Sequence, residues 1–273
     1  MLIAGPAEEL HFVSTSHTTF AVADAVATLT FTRPEARNAM TWAMYDDLIA
    51  TCDTVDDDET IRVLVLRGID DRAFIAGTDI SQFTSLKTRD DAIAYETRID
   101  EVVGRLEAVT VPTIARVQGP AVGGGFMIAV ACDMRLCGPD ARLGIPVART
   151  LGNCLSAANC ARLLALVGPA RVKDLMYTGR LLDADEALRL GVATRVVPAE
   201  ELDQLVSETA ATLANNAPLT LQATKELVRR LERSGRDSPE LAYDLITQCY
   251  TSHDFQQAVR SFVAKQRPRW TGH

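Results

Sequence analysis

Apolar positions along the first two-thirds of the chain follow two alternating periods. VATLTFT (Val26 to Thr32) and IRVLVLRG (Ile61 to Gly68) are β-branched runs with strand character, and PTIARVQG (Pro112 to Gly119) and ACDMRLC (Ala131 to Cys137) read the same way. Between them lie helical patterns. Thr41 to about Asp56 opens on a Thr cap and keeps Leu48, Ile49, Cys52 and Val55 on one face, while Asp90 to Val109 repeats Ile99, Val102, Val103 and Leu106 as a buried stripe. The alternation from Phe20 to about Val197 predicts an α/β fold with helices packed on sheets. After Pro198 the strand signals stop. Four helical segments are expected there, Ala199 to Asn215, Leu219 to Glu232, Pro239 to Thr251 and Asp254 to Gln266, broken at 215–218, 234–239 and 251–254. The expected organisation is a core over 1–197 and a helical region over 198–273.

Composition removes several function classes. With 28 Lys+Arg against 36 Asp+Glu the formal net charge is −8, which disfavours a nucleic-acid binder, since such a protein displaces counterions with a basic surface. The longest uncharged stretch, Val117 to Cys132, is interrupted by Gly119, Pro120 and three consecutive glycines, so no membrane span is expected. MLIAGPAEEL carries no basic segment before an apolar run, and a cytoplasmic location is the expectation. The six cysteines include no C-x-x-C pair and the histidines stand only at 11, 17, 253 and 273, so no metal site is expected.

There is no phosphate loop of the G-x-x-x-x-G-K-[ST] type, no G-x-G-x-x-G after a strand, no G-x-S-x-G elbow and no H-E-x-x-H. Two glycine-containing segments remain, each after a predicted strand: AFIAGTDI (Ala73 to Ile80) and GPAVGGGFM (Gly119 to Met127). Three glycines leading into an apolar helical run place bare N–H groups at a helix N-terminus, where negative charge is favoured and a flat ligand can approach the main chain. A tight turn or close helix packing explains a lone Gly-Gly-Gly equally well.

The combination is more specific. RPEARNAM (Arg33 to Met40), AFIAGTDI, VQGPAVGGGFMIAVACDMRL (Val117 to Leu136), ARLGIP (Ala141 to Pro146), YTGRLLDADEALRLGVATRVVP (Tyr177 to Pro198) and SFVAKQRPRW (Ser261 to Trp270) together resemble the crotonase (enoyl-CoA hydratase/isomerase) superfamily, in that family's order. The resemblance implies a repeated ββα spiral core, a C-terminal helical region used in trimer assembly, and a homotrimer or dimer of trimers. It implies an acyl-CoA thioester as ligand, with coenzyme A entering as part of the substrate and no separate cofactor. By motif position, the thioester oxygen would rest on the backbone N–H groups of Thr78 and Gly124, which stabilise an oxyanion without any polar side chain. Arg37, Ala39, Ala76, Asp79 and Ile80 match positions lining the CoA groove. Asp79 is expected to order its turn more than to do chemistry. Lys265 matches a lysine that reaches CoA phosphates, often those on a neighbouring subunit.

The family's hydratases carry two glutamates at positions that are here Met127 and Val147, and neither residue can act as an acid or base. Between Ala115 and Leu166 the only carboxylates are Asp133 and Asp140, expected to be structural. The segment Val147 to Ser156 places Arg149, Asn153 and Ser156 where they can enter the acyl pocket. Arg149 would bind a second carboxylate, and Asn153 and Ser156 would orient water or substrate. Cys154 reads as a small packing residue. Three alternatives follow: an acyl-CoA lyase or isomerase with non-standard acid–base groups, a malonyl-type decarboxylase, and a non-catalytic acyl-CoA-binding homologue.

Overall fold

The computed structural model describes residues 12–13, 17–216, 218–233, 247 and 250–266. Its main sheet runs in the order β1 (Phe12–Val13), β2 (Thr18–Ala23), β3 (Val26–Phe31), β4 (Val63–Gly68), β5 (Thr113–Val117), β7 (Met134–Cys137) and β9 (Arg195–Val196). β1, β2 and β3 pair antiparallel, and every pairing from β3 onward is parallel. β4 and β5 are apolar runs rather than alternating ones because both faces of the sheet are covered. Leu64 and Leu66 point into the larger core, while Val63 and Val65, with Ile114 and Leu136, meet Leu202, Val206 and Ala210 of helix α7 (Leu202–Asn215) on the opposite face. Buried Arg116 fastens the same helix, its guanidinium bonding Asp203 at 2.5 Å and Asp71 at 2.9 Å.

Beside this sheet runs a second, shorter ladder that positions the site. It consists of the bridges Met40 to Thr78 and Ile75 to Ala121, the parallel pair β6 (Pro120–Val122) and β8 (Arg142–Gly144), and the bridge Leu143 to Leu182. Each pass of the chain thus gives one strand to the main sheet and one short segment to the ladder, then turns into a helix. Those helices are α1 (Trp42–Asp57), α2 (Arg89–Glu107), α3 (Gly124–Ala131), α4 (Val147–Thr150) with α5 (Ala157–Thr178), and α6 (Ala184–Arg189). This is the α/β, ββα spiral that the resemblance implies.

Local signals agree with the element starts. Thr41 Oγ1 accepts from Met44 N, and Thr88 and Asp91 form a reciprocal capping box at α2. Leu48, Cys52 and Val55 are buried as expected, with Ile49 half-buried. The predicted strand at 131–137 shortens to Met134–Cys137 because Ala131 closes α3. β6 and β8, at three residues each, are too short to leave a period in the sequence.

After Pro198 come a 3₁₀ turn (Ala199–Glu201), α7, α8 (Pro218–Arg233) and α9 (His253–Val263). Most of the expected helix Pro239 to Thr251 lies outside the described residues, Leu241, Leu245 and Cys249 among them. Phe255 and Val259 of α9 face this chain's own core, whereas Phe262 and Val263 are 48 % and 62 % exposed.

Candidate active site

The site begins with a left-handed turn. Arg37 and Asn38 have φ of 51° and 57°, a conformation that asparagine tolerates better than most residues. Asn38 is fully buried; its Nδ2 donates to the Ala73 and Phe74 carbonyls at 3.0 and 3.2 Å, and its Oδ1 accepts from Arg33 N at 3.0 Å. The 76–79 turn is thereby laced to the 37–40 segment: Ala76 N donates to Arg37 O, Met40 N to Gly77 O, and Asp79 N to Met40 O. In such a parallel bridge the Thr78 N–H points away from the Met40 strand.

Asp79 acts as the cap of the following 3₁₀ turn (Ile80–Ser85). Its Oδ1 accepts from Ser81 N at 2.9 Å and Ser81 Oγ at 2.7 Å, and its Oδ2 pairs with Arg33 at 2.6 Å. Burial alone would raise its pKa. The bonds from Ser81 and Arg33 outweigh burial and hold the carboxyl below its ordinary value.

The glycines of the second segment are needed for separate reasons. Gly123 caps α3 at φ 55° and ψ −122°, outside the range of ordinary side chains. At Gly125 a β-carbon would lie 2.2 Å from the Ile75 carbonyl oxygen, so only a bare backbone lets α3 approach that strand. Gly124, the first residue of α3, lies beside Thr78, a β-carbon there falling 3.2 Å from Thr78 Oγ1, and both residues line a cavity of about 500 Å³. Neither the Thr78 nor the Gly124 N–H meets an acceptor among the described residues. Thr78 Oγ1 is held by the Tyr45 and Tyr95 hydroxyls at 2.7 and 3.2 Å, which fixes the turn carrying its amide. Burial pushes both phenols well above their ordinary pKa, so they remain neutral hydrogen-bonding groups.

The same cavity is lined by Arg37, Ala39, Ala76, Asp79, Ile80, Met127, Val147 and Asn153, and by Cys154. Three residues expected at the site are placed elsewhere. Arg149 is exposed, because the one-turn helix α4 directs Val147 inward and Arg149 outward against Gly179. Ser156 is consumed as the cap of α5, accepting from Asn159 N and donating to Asp100 Oδ1 at 2.6 Å. Lys265 is exposed just beyond α9 and does not line the cavity of its own chain. Asp133 accepts from the Thr113 backbone and side chain and from Lys225, and Asp140 accepts from Gln118, as structural roles require.

One carboxylate on the cavity wall escaped the sequence reading. Glu96 of α2 is only 5 % exposed, lies on the cavity wall and accepts a short hydrogen bond from the Tyr250 hydroxyl. The signal was a charge on an otherwise uncharged helix face, since the buried residues of α2 are Ala92, Tyr95, Glu96, Ile99, Val102, Val103 and Leu106.

Residues 21–273 match the family model described as enoyl-CoA hydratase/isomerase. The chain belongs to this family. It is 31 % identical over 244 residues to a short-chain-enoyl-CoA hydratase of Clostridium acetobutylicum, covering 89 % of this chain and 92 % of that one. It is 30 % identical over 243 residues to a crotonyl-CoA hydratase of Syntrophomonas wolfei, covering 89 % and 93 %. Among solved structures, an enoyl-CoA hydratase/carnithine racemase of Magnetospirillum magneticum superposes with a TM-score of 0.77 at 30 % identity, over 95 % of this chain and 97 % of that one. The protein is therefore an enzyme of the crotonase superfamily. Among the described residues no group of three His, Cys, Asp or Glu side chains could hold a metal ion, and no helix is long and apolar enough to cross a membrane.

Proposed function

We propose that this enzyme binds an acyl-CoA with its thioester oxygen on the N–H groups of Thr78 and Gly124 and stabilises the enolate formed there. The supporting observation is that two unengaged amides from different passes of the spiral face one largely apolar cavity. Preorganised donors of this kind are worth about 3 kcal/mol each, because they need not reorient as charge develops. Arg37, at the exposed edge of the cavity, takes the nucleotide end of the ligand, and Ala39, Ala76 and Ile80 leave room for the pantetheine arm. Coenzyme A is needed only as part of the substrate.

Met127 and Val147 stand at the positions of the hydratase glutamates, so crotonyl-CoA hydration should be weak, and the lyase or isomerase chemistry must use another acid–base group. Titration with acetoacetyl-CoA tests the reading: binding between micromolar and low millimolar supports it, and no binding of any acyl-CoA refutes it. Decarboxylation of a malonyl-type thioester finds less support, because Arg149, the side chain expected to hold the second carboxylate, lies outside the cavity.

The exposed Val263, next to Phe262 on the cavity wall, supports a homotrimer or dimer of trimers in which a neighbour's Lys265 completes the CoA site. Light scattering giving a mass near 29.6 kDa at micromolar concentration would exclude such an assembly. Lys265→Glu should weaken CoA-thioester binding while sparing a pantetheine thioester. The acidic chain and the free thiols of Cys52, Cys132, Cys137, Cys154 and Cys160 support a cytoplasmic location.

A further inference from the structure

Glu96 is the one carboxylate on the buried face of α2, and a carboxylate kept out of water is costly unless it is partnered or used. It is held by a directed chain: Asn153 Nδ2 donates to the Tyr250 hydroxyl at 2.9 Å, and that hydroxyl donates to Glu96 Oε1. Glu96 stands at the accepting end of this chain. Tyr250 is itself buried and packed on Phe255 and Phe83, with ring centroids 4.8 and 6.5 Å away, so its hydroxyl has little freedom to turn elsewhere. Asn153 also lies on the cavity wall, and its Oδ1 is buried with no hydrogen-bond partner among the described residues. Glu96 follows Tyr95 in sequence, and both line the cavity that Thr78 and Gly124 also line. The carboxylate therefore belongs to the same site as the amides.

We propose that Glu96 is the proton-transfer group of this enzyme, removing and returning the α-proton of the bound thioester, and that Tyr250 is the residue that positions it. The assignment rests on the acyl-CoA reading above. In the forward step the Cα–H bond breaks and its proton forms an O–H bond on Glu96. The Cα–H electron pair becomes the Cα=C bond, and the carbonyl π pair moves to the oxygen facing Thr78 N and Gly124 N. Reversal returns a proton to Cα. In D₂O the carboxyl proton exchanges between the two steps, and the thioester acquires deuterium with no net oxidation or reduction.

The test is deuterium incorporation at Cα of butyryl-CoA, read by mass spectrometry with the full-length protein, beside calorimetric titration of the same ligand. The wild-type protein should bind and exchange. E96Q should keep its affinity within about threefold and lose on the order of 10²- to 10⁴-fold in exchange rate, the usual contribution of a positioned acid–base group. E96D should recover part of that loss, an outcome that a purely structural carboxylate would not give. Y250F, which retains the ring, should lower kcat for exchange with KM unchanged, and should have no further effect in the E96Q background. Binding without wild-type exchange, or exchange by E96Q within about threefold of wild type, overturns the Glu96 assignment alone. Failure of butyryl-CoA to bind overturns the acyl-CoA reading instead. Y250F exchanging as wild type removes Tyr250 from the proposal.

Discussion

Replacing Asn38 with alanine removes three hydrogen bonds at a fully buried position and leaves the Ala73 and Phe74 carbonyls and the Arg33 N–H without partners. At about 1 kcal/mol of net stabilisation each, the bonds account for about 3 kcal/mol. Alanine must also adopt φ near 57°, which adds about 1 kcal/mol. The expected loss is about 4 kcal/mol, or a drop of more than 1 M in urea midpoint at a slope of about 3 kcal/mol/M. Asn38→Gly, which relieves only the backbone term, should lie up to about 1 kcal/mol above the alanine variant. Because the same turn laces residues 76–79 through Arg37 O and Met40, acetoacetyl-CoA affinity should fall in both variants. Equilibrium urea unfolding at fixed protein concentration measures the effect. A loss below about 1 kcal/mol would mean that water or a local shift replaces the lost bonds, and that Asn38 does not hold the oxyanion turn.

Other substitutions probe separate parts of the structure. Gly125→Ala should destabilise by about 1–3 kcal/mol, since its β-carbon meets backbone oxygen rather than a movable side chain; unchanged thermal unfolding would contradict the close approach of α3. Asp79 has a depressed carboxyl, so its contribution is fully present above the unfolded-state value of about 3.9 and is lost as pH falls through the lower folded-state value. The stability gap between wild type and Asp79→Asn should accordingly be larger at pH 6 than at pH 3, and a gap that grows on acidification would reverse that argument. Burial raises the Cys52, Cys132 and Cys137 thiols to about 12. Native protein at pH 8 should therefore react with maleimide at Cys154 before these three, and acyl-CoA should protect Cys154; rapid labelling of Cys52 would show that its helix opens.

Much of the site was legible because its chemistry is carried by backbone. The turns at AGTDI and GGG can be read from residue type, whereas the choice of Thr78 and Gly124 within them comes from the resemblance to the crotonase superfamily. Side-chain direction was harder to read. Arg149 and Val147 are two residues apart on a single helical turn, and which of them faces inward depends on the angle at which the chain leaves Pro146. Ser156 carried a readable signal, a serine directly before a long helix, and its hydroxyl is spent on that cap. Glu96 is distant in sequence from both glycine segments, and only the spiral brings α2 against the wall they form. The ladder segments at 120–122 and 142–144 were invisible for a simpler reason: three residues cannot display an alternation.

The ladder that joins Met40 to Thr78, Ile75 to Ala121 and β6 to β8 has a thermodynamic consequence for ligand recognition. Its rungs join stretches roughly 20 to 45 residues apart, so no single segment contains a preformed half of the cavity. An unfolded chain offers the ligand nothing comparable, and binding free energy is therefore added almost entirely to the cooperative unfolding of the core. A ligand at a hundred times its dissociation constant should raise the unfolding free energy by about 2.7 kcal/mol. Slowly exchanging amides in β4 and β5, more than 50 residues from some of the atoms that touch the ligand, should gain protection along with those in the site.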